Sequence, residues 1–140
     1  MLRLVRPKVS MATILLVDEN PLRASLRQSI LQRAVPDVVR VSEPAEALCL
    51  VESVEFARAL RLVITGNHLT GLTGPEFVSE LRARMPRVPV LVLIGRDEKP
   101  AKDSGKESNE AGVSYSYAAS PEELRATVDS LLNPTARQTA

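Results

Sequence analysis

Two aliphatic runs without alternation, Ile14-Leu15-Leu16-Val17 near the N-terminus and Val90-Leu91-Val92-Leu93-Ile94 further on, most constrain what this chain can fold into. Successive side chains of a strand point to opposite faces, so a strand that is apolar at every position needs cover on both. That is the situation of a parallel sheet with helices on each side. The first run drops abruptly into Asp18-Glu19, then Asn20, a preferred helix N-cap, and Pro21, which is tolerated at a first helical position because its missing N–H would be unpaired there anyway. In open α/β sheets ligands bind beyond the carboxyl ends of the strands, which makes Asp18 and Glu19 the first candidates for a site.

The rest of the chain alternates between the two periods. Leu22, Leu26, Ile30 and Ala34 recur at helical spacing and predict the buried stripe of a first helix, with Arg23, Arg27 and Gln28 facing elsewhere. Pro36-Asp37 breaks it, and Val38 to Val41 reads as a second strand. Ser42 is the expected cap of a second helix that buries Ala47, Leu48, Val51 and Val54, with Cys49 inside it as a packing residue. Leu60 to Thr65 is a third strand. Thr73 and Glu76 have capping-box spacing and open a helix that buries Phe77, Val78 and Leu81. After the Val90–Ile94 strand the rhythm fails: 97–110 has Ala101 as its only apolar residue, so a short or disordered helix is expected there. Val113 to Tyr117 alternates like an edge strand, and Ser120-Pro121-Glu122-Glu123 starts a last helix that buries Leu124, Val128, Leu131 and Leu132.

Five β-α repeats with right-handed crossovers give an α/β, flavodoxin-like, doubly wound five-stranded parallel sheet in the order 2-1-3-4-5. The expected domain runs over 12–133, preceded by a disordered leader at 1–11, where Met11 is an alternative start, and followed by a polar tail at 134–140. A stand-alone domain with no room for an output domain is expected. The net charge of +1 and pI of about 7.9 give no case for nucleic acid or a membrane surface as partner. The lone Cys49 cannot form an internal disulfide, and neither a signal-peptide core nor a membrane span is visible, so the expected location is cytoplasmic. No Gly-rich phosphate loop follows the first strand, and no nucleophile elbow is present. The single histidine, His68, lies on the loop after the third strand with neither a nucleophile nor a second ligand suggested nearby.

Taken in order, Ile14-Leu15-Leu16-Val17-Asp18-Glu19-Asn20-Pro21, Glu46-Ala47-Leu48, Leu62-Val63-Ile64 followed by Leu69-Thr70-Gly71-Leu72-Thr73-Gly74, Val88-Pro89-Val90-Leu91-Val92-Leu93, and Ala111-Gly112 with Pro121-Glu122-Glu123-Leu124 resemble a receiver domain of bacterial two-component response regulators. The resemblance covers Ala12 to about Asn133. It implies phosphorylation of an aspartate by a partner histidine kinase and Mg²⁺ held by an acidic cluster. Asp18 and Glu19 match the acidic pair of that pattern. The phosphoacceptor aspartate falls on Gly66, the phosphoryl-contacting Ser/Thr on Ile94 and the lysine on Ala119. The switch aromatic falls on Ser116, flanked by Tyr115 and Tyr117.

In-line phosphoryl transfer needs an oxygen nucleophile, a bridging metal and donors for the developing charge. Gly66 supplies none of these. Thr65, one strand position earlier, points to the opposite face, and Asn67 carries no suitable nucleophile. The sequence therefore predicts a degenerate, stand-alone pseudo-receiver that is not an enzyme. It would act by contact with another signalling protein, which could be a histidine kinase, a response regulator or an output protein, without a required cofactor and with at most weak Mg²⁺ binding at Asp18 and Glu19. Tyr115 and Tyr117 on the edge strand are the candidate partner surface. Two alternatives stay open, a phosphorelay receiver with a nonstandard acceptor and a small phosphate-handling hydrolase at Asp18, Glu19 and His68. If the two acids only repel one another, Asp18→Asn should leave stability unchanged or raise it by roughly 1 kcal/mol.

Overall fold

The computed structural model describes residues 13–35, 37–69, 71–95, 112–117 and 120–132. The aliphatic runs form the strands β1 (Thr13–Val17), β2 (Asp37–Val41), β3 (Leu60–Gly66), β4 (Val90–Ile94) and β5 (Val113–Tyr117), joined in one sheet in the order β2-β1-β3-β4-β5. Every pairing in this sheet is parallel, and the central strands β1 and β4 are buried on both faces, as is usual for parallel sheets. The order 2-1-3-4-5 expected of a flavodoxin-like sheet is the one observed. Besides it, His68–Leu69 and Leu72–Thr73 form a small antiparallel hairpin whose turn places Gly71 at φ 86°, a left-handed conformation that glycine adopts without strain.

The helices are α1 (Pro21–Leu31), α2 (Pro44–Val51), α3 (Val54–Ala59), α4 (Gly74–Arg84) and α5 (Pro121–Leu132). Helix starts follow the local chemistry of the sequence. The Asn20 side chain accepts the Arg23 N–H at 3.0 Å, and the Ser120 hydroxyl accepts the Glu123 N–H at 3.1 Å. Thr73 and Glu76 close a reciprocal capping box. Gly74 is also where the chain folds tightly back on itself: its N–H bonds the Asn67 carbonyl at 2.7 Å, and a Cβ there would lie 2.8 Å from that oxygen.

Opposite faces of the sheet carry separate cores. Ile14, Leu16, Leu62, Ile64, Leu91 and Leu93 meet Leu31 of α1 and Leu124 and Val128 of α5. On the other side Leu15, Val17, Val63, Val90 and Val92 meet Ala47 and Val51 of α2 and Phe77, Val78 and Leu81 of α4. Full burial of such a side chain contributes about 1.5–3 kcal/mol, so the strands hold the fold from both sides.

Four expectations need correction. The predicted stripe of α1 holds only at Ile30, which packs against the core: Leu22 is 83% and Leu26 60% exposed and Ala34 is exposed, while Ala24 and Leu31 are buried and Arg27 and Gln28 half-buried. Small Ala24 lets the helix lie close to the sheet, and this rotation brings both arginines toward the end of β1. Accordingly Leu26→Gln should change the unfolding free energy, read from the shift of the urea midpoint, by less than about 0.5 kcal/mol, whereas a core leucine at that position would cost several times more. The second helix does not run on to Val54. It stops after Val51, where the Glu52 and Ser53 N–H groups bond the Cys49 and Leu50 carbonyls, and Ser53 caps a separate helix whose first residue, Val54, is 68% exposed. Glu43, not Ser42, holds the N-cap position of α2. Cys49 is exposed on that helix and is not a packing residue. The expected leader at 1–11, the helix expected in 97–110 and the tail at 134–140 lie outside the described residues, as does Ala119.

Candidate functional site

Asp18 follows the last residue of β1 and is 2% exposed, deeply buried for a carboxylate. A buried charge must be paired and hydrogen-bonded to be tolerated. Here the partners come from α1, which begins three residues later. Arg23 Nε donates to both carboxylate oxygens, at 3.2 Å to Oδ1 and 3.0 Å to Oδ2, and an Arg23 terminal nitrogen donates to Oδ1 at 2.8 Å. Arg27 donates to Oδ2 at 2.9 Å, and the Asn20 N–H to Oδ1 at 3.0 Å. Asp18 thus sits between two guanidinium groups, one of them, Arg27, itself only 12% exposed at the side chain. Such charge-assisted contacts are the strong hydrogen bonds of proteins.

This is the residue pattern that the sequence reading passed over. Arg23 and Arg27 are four apart on the helix that follows the acid, hence stacked on one helix face, and that spacing was the available signal. The expectation that Asp18 and Glu19 form a bare like-charge pair is overturned, because Asp18 is neutralised from within the chain. Glu19 is half-buried and, with Asp18, Ala24, Arg40, Ser42 and Glu46, borders a cleft of about 530 Å³.

The register places the remaining positions. Val17 pairs with Thr65, so Asp18 and Gly66 are the next residues along neighbouring strands, and Gly66 pairs in turn with Leu93, one before Ile94. Ile94 is 3% exposed at the end of β4. Thr65 is wholly buried, with its hydroxyl donating to the Gly66 carbonyl at 3.2 Å. The His68 backbone pairs with Thr73 in the hairpin, so this residue belongs to a short strand and not to an irregular loop. Tyr115 and Tyr117 share one face of β5 but not one environment: Tyr115 is half-buried against the core on the α2 and α4 side of the sheet, and Tyr117 is 53% exposed.

The donor set does not fit a divalent cation. A hard cation such as Mg²⁺ wants several free carboxylate oxygens. Asp18 offers none, and Gly66 brings no side chain. Among the described residues no group of three or more His, Cys, Asp or Glu side chains is placed to hold a metal ion. No helix among them is long and apolar enough to cross a membrane.

No protein-family model matches the sequence. The chain is similar to the hydrogenase transcriptional regulatory protein HoxA of Cupriavidus necator, with 32% identity over 116 residues that cover 79% of this chain and 21% of that protein. It therefore spans about a fifth of that relative's length. Among solved structures it is similar to a response regulator receiver domain protein from Clostridium thermocellum, with a TM-score of 0.70, 18% identity, and 91% of this chain and 98% of that one covered. It is also similar to the chemotaxis response regulator CheY4 of Vibrio cholerae, with a TM-score of 0.69, 24% identity, and 87% and 99% covered. A response regulator receiver protein from Sinorhizobium medicae gives a TM-score of 0.71 at 23% identity, with 87% and 94% covered.

Proposed function

Because the chain has the receiver-domain fold of response regulators, we propose that it is a pseudo-receiver, a signalling protein that works by contact with another protein and without phosphorylation of an aspartate. The observation that carries this reading is the Asp18 pocket, whose carboxylate is closed by Arg23 and Arg27 while the neighbouring strand offers Gly66 where an acceptor would be needed. In the receiver pattern the phosphoryl-contacting Ser/Thr falls on Ile94, a buried aliphatic without a donor, and the lysine falls on Ala119 in the sequence. Without nucleophile, metal and donors, positioning and charge stabilisation are both missing, and those are nearly all the catalysis that phosphoryl transfer receives.

The chain is thus read as a non-enzymatic, cytoplasmic protein whose partner is a histidine kinase, a response regulator or an output protein. Tyr117 is the favoured contact on the sheet edge, since an exposed tyrosine offers a large apolar body with a hydroxyl at its tip. Hydrolysis at Asp18, Glu19 and His68 is disfavoured, because a carboxylate whose lone pairs are taken by guanidinium groups is neither a base nor a nucleophile. Incubation with acetyl phosphate and Mg²⁺, followed by intact mass, should return the unmodified chain. Stoichiometric addition of one phosphoryl group would instead favour a receiver with a nonstandard acceptor, and turnover of a generic phosphomonoester would favour the hydrolase.

A further inference from the structure

We infer that Arg23 and Arg27 are resident counter-cations that occupy the Asp18 pocket in place of a divalent metal and make it metal-independent. The inference rests on reading that pocket as the counterpart of a receiver's acidic site, and it turns on the saturation of one carboxylate. An ionised carboxylate has about four lone-pair directions. Oδ1 receives the Asn20 N–H and two Arg23 donors, and Oδ2 receives Arg23 Nε and Arg27, so every direction is used by a contact of 3.2 Å or less. A cation could coordinate Asp18 only by displacing a guanidinium group.

Charge points the same way. Arg23, Arg27 and Arg40 balance Asp18, Glu19 and Glu46 around the cleft and leave no net negative charge to attract a dication, and each guanidinium at Asp18 would repel one. The arginines also do the mechanical work that a bridging ion could do. They tie the end of β1 to α1 through a buried anion, with Arg27 the more enclosed of the two, its side chain 12% exposed against 44% for Arg23. Neither task requires a ligand from outside the chain. The result is a pocket whose carboxylate is paired from within the chain.

Mn²⁺ alone is the probe, read by paramagnetic broadening of the Asp18, Glu19 and Asn20 amide resonances. In the wild-type protein millimolar Mn²⁺ should leave these resonances no more broadened than exposed amides elsewhere, and its addition or removal by chelation should not move the melting temperature. Arg23→Gln frees part of Oδ1 while Arg27 still holds Oδ2, so the fold is kept, and the same resonances should broaden at an Mn²⁺ concentration about tenfold lower than in wild type. Arg23→Gln/Arg27→Gln should go further and become stabilised by Mn²⁺; if it fails to fold without the ion, Arg23→Gln carries the test. Selective broadening at Asp18 in the wild type would overturn the inference, as would an Arg23→Gln protein no more sensitive to Mn²⁺ than wild type. Because the readout is proximity of a metal and not phosphorylation, its failure is distinct from failure of the signalling proposal.

Discussion

Asp18→Asn is expected to lower stability by about 2–4 kcal/mol, measured as a shift of the urea midpoint at unchanged slope. The amide keeps the shape of the carboxylate but has one oxygen left to accept, and its NH₂ faces donors. Arg27, 12% exposed at its side chain, would lose the charge of Asp18, and removing one member of an enclosed ion pair is costly. Arg23 softens the loss because its side chain is 44% exposed and can turn to water. Combining Asp18→Asn with Arg27→Met should cost less than the two separate losses added together, since both changes remove the same contact. A neutral or stabilising Asp18→Asn would mean that the two guanidinium contacts have no net value and would restore the picture of an acid pair relieved by neutralisation.

The second large effect separates the two tyrosines of β5. Tyr115→Ala should cost about 2–3 kcal/mol, because it empties a half-buried ring position packed on the core. Tyr117→Ala should stay within about 0.5–1 kcal/mol of wild type, as a 53% exposed ring has little to lose. Partner capture should show the opposite order when measured well below both melting temperatures, with Tyr117→Ala weakening it and Tyr115→Ala sparing it. Equal stability losses would mean that both rings cover the edge in the same way, and unchanged capture for Tyr117→Ala would move the contact surface off this strand.

Where sequence reasoning succeeded, the signal was local. Asn20, Thr73 with Glu76, and Ser120 cap their helices because a short side chain reaches an unpaired N–H within three residues, whatever surrounds it. The central strands β1, β3 and β4 were legible because burial on both faces leaves little room for alternation, and β5 because a half-exposed edge strand alternates. The first helix was misread because leucines outweigh alanine in any count of apolar stripes, while the face turned inward is chosen by small Ala24 and by the reach of Arg23 and Arg27 to Asp18. That choice is tertiary: it needs the end of β1 and the start of α1 to be placed together before the pairing can be seen. The same holds for the two tyrosines, which alternate correctly along the strand and yet differ in cover because the second lies at the end of an edge strand.

The most direct measurement of a closed pocket is the amide NMR spectrum recorded with and without Mg²⁺ and beryllofluoride, a mimic of an aspartyl phosphoryl group. A pocket filled by its own arginines beside Gly66 should give superimposable spectra, with the resonances of Asp18 to Arg27, of the ends of β3 and β4, and of Tyr115 and Tyr117 unmoved. Saturable shifts that start at Asp18 and spread through β4 to β5 would contradict the account, because they would show a site that still binds a phosphoryl group and passes the event to the edge of the sheet.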